Sequence, residues 1–95
     1  MVEPATRASK YADYPLDLRR AFIRRTTLDH ASLRGANLSE ADLTNASARY
    51  TDFTDAILDR TILKGTDLTG AIITADQLRA AITDERTVLP DHLKG

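Results

Sequence analysis

From Ala21 to Ala75 the chain reads as eleven consecutive pentapeptides with no insertion: AFIRR TTLDH ASLRG ANLSE ADLTN ASARY TDFTD AILDR TILKG TDLTG AIITA. The third residue of each is apolar, in order Ile23, Leu28, Leu33, Leu38, Leu43, Ala48, Phe53, Leu58, Leu63, Leu68 and Ile73. The first residue is always Ala or Thr. The second, fourth and fifth are mostly Asp, Asn, Ser, Thr, Arg and Gly. A period of five fits neither simple element. On an α-helix five residues advance the chain by about 500°, so the apolar side chains would spiral around every face. On a flat strand an odd period sends successive Leu residues to opposite sides. The pattern becomes consistent with burial only if the chain turns a corner once per repeat. The third residue and the small first residue then always point inward, and the polar residues occupy corners and solvent. Coils of this kind, stacked through strand-like backbone hydrogen bonds, make a solenoid.

Size and composition agree with that economy. Ninety-five residues allow one small domain and cannot bury a large globular core. With 42% apolar and 28% charged residues the chain is too apolar to be disordered. The absence of Cys excludes disulfides and thiolate metal sites, and with no Trp and 5% aromatics a core of large rings is excluded too. Thirteen basic and fourteen acidic residues leave a formal charge of −1, which argues against general electrostatic binding to nucleic acid or membrane. Residues 1–10 carry no apolar leader core, and no stretch is long enough in apolar residues to span a bilayer. A cytoplasmic protein is the expectation.

The motif A-(N/D)-L-x-x, intact as ANLSE at 36–40 and ADLTN at 41–45, resembles that of the pentapeptide-repeat proteins. The resemblance covers 21–75, and the tail TADQLRAAITDERTVLP at 74–90 is similar to the C-terminal cap common in that family. It implies an all-β solenoid: a right-handed quadrilateral β-helix with four pentapeptides per coil, each residue stacked on the one twenty positions on. Leu16–Arg20 then fits as a degenerate twelfth repeat, and 16–75 makes about three coils. The expected division is an N-terminal segment or cap at 1–15, the β-helix at 16–75, and a helical cap and tail at 76–95. Inward stacks become Leu18–Leu38–Leu58, Ile23–Leu43–Leu63, Leu28–Ala48–Leu68 and Leu33–Phe53–Ile73. The Phe53 ring is expected to fill the space that Ala48 leaves, conserving core volume. Outer ladders at the same spacing pair Asp29 with Arg49, Glu40 with Arg60, and His30 with Tyr50.

Both ends of a solenoid need covering. Thr74-Ala75-Asp76-Gln77 is a capping box, predicting a helix over about 75–82. Leu78, Ala81 and Ile82 share a face that should cover the last coil, with Val88 and Leu89 completing the lid before Pro90. At the other end Tyr11 and Tyr14 could fold under the first coil or join an interface with another chain.

Catalytic patterns are weak. His30 and His92 are the only histidines, without metal-ligand spacing. Asp29, His30 and Ser32 have the letters of a triad, yet the register places His30 and Ser32 on the outer surface as ladder residues. Gly65 and Gly70 have the glycine spacing of a phosphate loop but lack its Lys-Ser/Thr, and both are fifth positions, where corners favour Gly. No enzyme, cofactor or metal is expected.

Two outward features remain. Phe22, Ile57, Ile62 and Ile72 are apolar at second positions that should face solvent, and form the candidate interaction surface. Arg19, Arg20, Arg24 and Arg25 make a basic edge in the first coil, read either as a contact for an acidic partner or as a solvated face that discourages end-to-end growth. The function expected is a rigid, non-catalytic scaffold for protein–protein contact. Its partner is another, unidentified protein or a second copy in a homodimer, with no direct nucleic-acid binding and no membrane contact. The resemblance implies an alternative: some relatives are elongated acidic mimics of duplex DNA that bind type II topoisomerases such as DNA gyrase and protect against quinolones. The outward acids here are Glu40, Asp42, Asp52, Asp55, Asp59 and Asp67. They are interspersed with Arg24, Arg25, Arg34, Arg49, Arg60 and Lys64, and three coils at about 4.8 Å each rise only about 15 Å, so the chain departs from a mimic in charge and length.

Overall fold

The computed structural model describes residues 16–94. The segment 1–15, with Tyr11 and Tyr14, lies outside the described residues. From residue 16 the chain repeats one conformation every five residues. Except at Thr26, the amide of the first-position residue donates back to the third-position carbonyl of the preceding repeat, as Ala21 does to Leu18 at 3.0 Å and Ala41 to Leu38 at 2.9 Å. Each such turn places the fifth residue at positive φ, and eight of these corners are not glycine: Arg20, Arg25, His30, Glu40, Asn45, Tyr50, Asp55 and Arg60. Positive φ at the third residue of a turn belongs to the type II family, which ordinarily favours Gly or Asn. The corner amides are held by the next coil, as Arg20 donates to the Ser39 carbonyl at 2.9 Å and Tyr50 to Thr69 at 2.8 Å, and the corners persist without glycine.

That stacking runs between residues twenty apart. Parallel bridges join Asp17–Asn37–Ile57, Phe22–Asp42–Ile62–Ile82, Thr27–Ser47–Asp67–Val88 and Ser32–Asp52–Ile72. Four pentapeptides therefore return the chain over itself, with four bridged faces. We number them from the chain start: the first face holds 16–20, 36–40 and 56–60, and the second holds 21–25, 41–45 and 61–65. The third holds 26–30, 46–50 and 66–70, and the fourth holds 31–35, 51–55 and 71–75. Within a face, the third-position amide donates to the next coil (Leu43 to the Ile62 carbonyl, 2.9 Å), and the second-position amide donates to the previous one (Ile62 to Ala41, 2.8 Å).

The interior is the column of third and first positions. Leu38, Leu43, Ala48, Phe53, Leu63 and Leu68 are fully buried in one continuous core, so Ala48 and Phe53 both lie wholly inside it. Where a buried first position is Thr rather than Ala, its hydroxyl is satisfied across coils. Thr51 donates to the Leu28 carbonyl at 2.7 Å, Thr61 to Leu38 at 2.6 Å and Thr66 to Leu43 at 2.7 Å. Among the described residues no buried side-chain polar atom lacks a partner. Thr is thus admitted at an inward position because the coil below supplies an acceptor at a fixed place.

After the last full repeat comes helix α1, Ala75–Ala80, two residues shorter at its C-terminal end than the sequence predicts. Its capping box forms: Thr74 accepts from the Gln77 amide, and the Gln77 side chain accepts from the Thr74 amide. Gln77 does more than cap. Its Nε2 donates to the carbonyls of Phe53 at 2.8 Å and Ala56 at 2.9 Å. The Ala36 and Ala41 carbonyls accept from the amides of Ile57 and Ile62, twenty-one residues on. For Ala56 that position is residue 77, whose own amide is occupied by Thr74, so the side-chain amide takes over the ladder bond.

Asp84 makes the same substitution on the second face. Asn45 donates its amide to the Lys64 carbonyl, nineteen residues on; Gly65 donates to the Asp84 carboxylate instead, at 3.0 Å. The tail is therefore an irregular continuation of the coil rather than a separate lid. This corrects the expected cap. Ile82 and Val88 extend the second and third faces through bridges to Ile62 and Asp67, and each stays 39% exposed. Leu78, Ala81 and Leu93 pack on the core, and Pro90 is buried. An extended residue with its backbone in the ladder alternates its side chain away from the core, so Ile82 and Val88 cannot both pair and cover.

Candidate interaction surface

The outer surface is organised by second and fourth positions. A second-position Asp or Asn accepts from the amide two residues on, as Asn37 does from Ser39, Asp42 from Thr44, Asp52 from Thr54 and Asp67 from Thr69. The fourth-position hydroxyl joins the same carboxylate or amide oxygen. These bonds hold the carboxyls of Asp42 and Asp52 below the usual carboxylate range, with the Thr44 and Thr54 hydroxyls the leading causes. Asp17 has Arg19 in place of a Thr, and the guanidinium hydrogen bond pulls its pKa down to about 2.

Fourth-position arginines pair along a diagonal rather than the expected ladder. Arg24 meets Asp42 at 3.8 Å, Arg34 meets Asp52 at 3.3 Å and Arg49 meets Asp67 at 3.9 Å, each a fourth-position Arg reaching the second position of the next coil. The expected Asp29–Arg49 ion pair is accordingly replaced. Asp29 accepts from the Ser47 hydroxyl at 2.6 Å and the Arg49 backbone amide at 2.9 Å, while the Arg49 guanidinium points onward to Asp67. The expected Glu40–Arg60 pair is also replaced, because Glu40 is taken by Arg20 from the coil before, at 2.9 Å. The His30–Tyr50 ladder does form, as stacked rings 5.1 Å apart and 10° from parallel. Asp29, His30 and Ser32 share no triad geometry: Asp29 is bound to Ser47, and His30 lies exposed on Tyr50.

The four apolar candidates separate by face. Ile57 lies on the first face and is 42% exposed; Ile72 lies on the fourth and is 56% exposed. Phe22 and Ile62 share the second face, two coils apart, and among the described residues Phe22 is the most exposed large apolar side chain at 78%. Ile62 is half-buried between its neighbours. The basic edge separates too. Arg19 and Arg20 sit on the first face, joined to Asp17 and Glu40 along a broad polar depression. Arg24 and Arg25 sit on the second face beside Phe22, and the Arg24 guanidinium lies 5.8 Å from the Phe22 ring centroid. The structure thus joins half of the apolar set to half of the basic set, a grouping that position within the repeat alone does not show.

A second concave feature lies where the tail folds onto the fourth face. Ile72, Ile73, Thr74, Gln77, His92 and Leu93 border a cleft of about 430 Å³. His92 closes one side, its Nε2 2.9 Å from the Ile73 carbonyl oxygen. Among the described residues no group of three His, Asp or Glu side chains is placed to hold a metal ion, and no helix is long and apolar enough to cross a membrane.

The family model for pentapeptide repeats matches in eight copies over residues 16–45 and 36–74. The chain belongs to the pentapeptide-repeat family, and the fold that membership implies is a right-handed β-helix. Among solved structures it is similar to alr5209, a pentapeptide repeat protein from Nostoc Pcc 7120, at 28% identity over 95% of this chain and 87% of that one, with a TM-score of 0.35. A search of curated proteins returned no match.

Proposed function

We propose that the protein is a non-catalytic scaffold: a right-handed quadrilateral β-helix of about three coils, spanning 16–75, closed by the tail at 76–95 and used as a rigid surface for contact with another protein or a second copy of itself. One observation carries this reading. At second positions, where the repeat otherwise sets Asp, Asn, Ser or Thr, the chain places Phe22, Ile57 and Ile72 and leaves them exposed. These side chains add nothing to the filled interior, and large exposed apolar groups on a small surface mark contact sites.

The alternative, mimicry of duplex DNA toward DNA gyrase, needs a continuous anionic face. The first face balances Asp17, Glu40 and Asp59 with Arg19, Arg20 and Arg60, and the second carries more cations than anions; the third and fourth carry only two repeat acids each, Asp29 and Asp67 with Arg49, and Asp52 and Asp55 with Arg34. The charge pattern therefore favours the scaffold.

The test uses the full chain with Ile57→Arg, Ile62→Arg and Ile72→Arg, one substitution per face. Sedimentation and cross-linking to proteins of the source cells are measured for each. One substitution should abolish association while the melting temperature holds. If none changes either readout, the scaffold reading fails. A gyrase supercoiling assay at two salt concentrations is run alongside, and salt-sensitive inhibition would put mimicry ahead.

A further inference from the structure

Resting on the scaffold reading, we propose that the second face binds an extended acidic segment of a partner protein. An apolar side chain of that segment would seat against the Phe22 ring, and its carboxylates would meet Arg24, Arg25 and Lys64.

The face is a row of parallel bridges, Phe22–Asp42–Ile62–Ile82, so its second positions form one column at the ladder spacing of about 4.8 Å. Phe22 heads that column almost free of neighbours, with Ile62 and Ile82 continuing it as apolar surface. Beside the column run the fourth positions Arg24, Thr44 and Lys64, and Arg25 stands at the corner next to Arg24. Asp42 is the single acid among the repeat residues of this face, and Arg24 pairs with it at 3.8 Å, which leaves Arg25 and Lys64 without an acid of their own. Among the described residues neither Arg25 nor Lys64 lies within ion-pair distance of a carboxylate, unlike Arg19, Arg20, Arg34 and Arg49. Cations on the other faces are largely neutralised where they stand, whereas this face keeps a positive excess around an exposed ring.

Charge complementarity then selects the occupant. From Arg25 to Lys64 is two coil steps, about 10 Å, which about three residues of extended chain span. A segment with carboxylates at that separation and an apolar side chain between them matches the face in both sign and spacing. The Arg24 guanidinium carbon lies 5.8 Å from the Phe22 ring centroid, so a carboxylate seated beside the ring is within reach of its outer N–H donors. A nucleic-acid strand fits less well. Asp42 at the centre of the face opposes a phosphate backbone, and Ile62 and Ile82 offer no stacking surface for bases.

The probe is a fluorescein-labelled peptide of Glu-Leu-Gly repeats, which sets carboxylates three residues apart with an apolar side chain between them, titrated with the full-length protein and read by anisotropy at low and physiological salt. Amide shifts map the contact. Binding should move amides in 21–25, 41–45 and 61–65 and weaken with salt. Arg25→Glu, or Lys64→Glu as a second charge reversal, should weaken it about tenfold, and Phe22→Ala should weaken it at least about fivefold. Ile72→Ala, on the fourth face, should leave it unchanged. All four positions are on the outer surface, and matching melts exclude unfolding as the cause.

Absence of binding at millimolar peptide overturns the proposal, as do shifts confined to another face. Equal binding of polyglutamate removes the role of Phe22, and tighter binding of an oligothymidylate assigns the face to nucleic acid; either result also overturns it. If the peptide fails while Ile57→Arg or Ile72→Arg abolishes a cellular association, the scaffold stands and only the assignment to this face falls.

Discussion

Gln77 offers the sharpest test of how the coil ends. Its side chain makes two kinds of contact: Oε1 accepts from the Thr74 amide at 2.8 Å, and Nε2 donates to Phe53 and Ala56 carbonyls at 2.8 and 2.9 Å. Gln77→Ala removes all three bonds. At about 1 kcal/mol net per hydrogen bond the loss is about 2–3 kcal/mol. For a domain of this size 1 kcal/mol moves the melting temperature by about 4–8 °C, so the midpoint should fall by about 10–20 °C. Gln77→Glu separates the two roles. Glu serves a capping box as well as Gln does, and its charge near a helix N-terminus is favourable. If capping were the whole function, Gln77→Glu would melt like the parent. In the structure the amide replaces a ladder donor, and a carboxylate there would face two carbonyl oxygens with nothing to donate. Gln77→Glu should then be at least as destabilising as Gln77→Ala. Thermal and urea unfolding followed by circular dichroism decide between them. A Gln77→Glu variant within about 3 °C of the parent would refute the substitution of side chain for ladder amide.

Gly70→Ala should cost more than Gly35→Ala in the same melts. Both glycines have positive φ, worth about 1 kcal/mol against Ala, but a Cβ at Gly70 runs into the Tyr50 ring whereas at Gly35 it meets open space; equal costs would show that the ring moves aside freely. Leu43→Asp puts a charge in the fully buried middle of the core and should abolish cooperative folding; a melt near the parent's would disprove the inward register. Acid should destabilise the protein, because Asp17, Asp29, Glu40, Asp42 and Asp52 all titrate lower when folded, through hydrogen bonds from Arg19, Ser47, Arg20, Thr44 and Thr54 respectively. Such groups contribute fully above their unfolded pKa near 4 and lose that contribution as pH falls through the folded values, so the midpoint should drop between about pH 5 and 2; a flat profile there would contradict the pairing.

The repeat made the interior legible. A side chain pointing into a coil of fixed circumference has no freedom of address, so the first and third positions, the fifth-position corners, the His30–Tyr50 stack and the Thr74–Gln77 box follow from spacing and residue type alone. What the tertiary structure alone decided lies where side chains are long or the period ends. Arg24, Arg34 and Arg49 reach past the ladder to a diagonal carboxylate, since a flexible guanidinium reaches further than one strand spacing and the acid of the next second position is already held in place by its own turn. Gln77 and Asp84 replace backbone groups with side chains just where the chain leaves the coil, and no periodicity describes that departure. The candidate surface divides the same way. Sequence marks Phe22, Ile57, Ile62 and Ile72 as outward and Arg19, Arg20, Arg24 and Arg25 as basic, because both properties belong to single positions. That Phe22, Ile62, Arg24 and Arg25 share one face follows from the twenty-residue spacing; that, among the described residues, Arg25 and Lys64 stay unpaired there while most other cations are neutralised depends on which side chains reach which neighbours across coils.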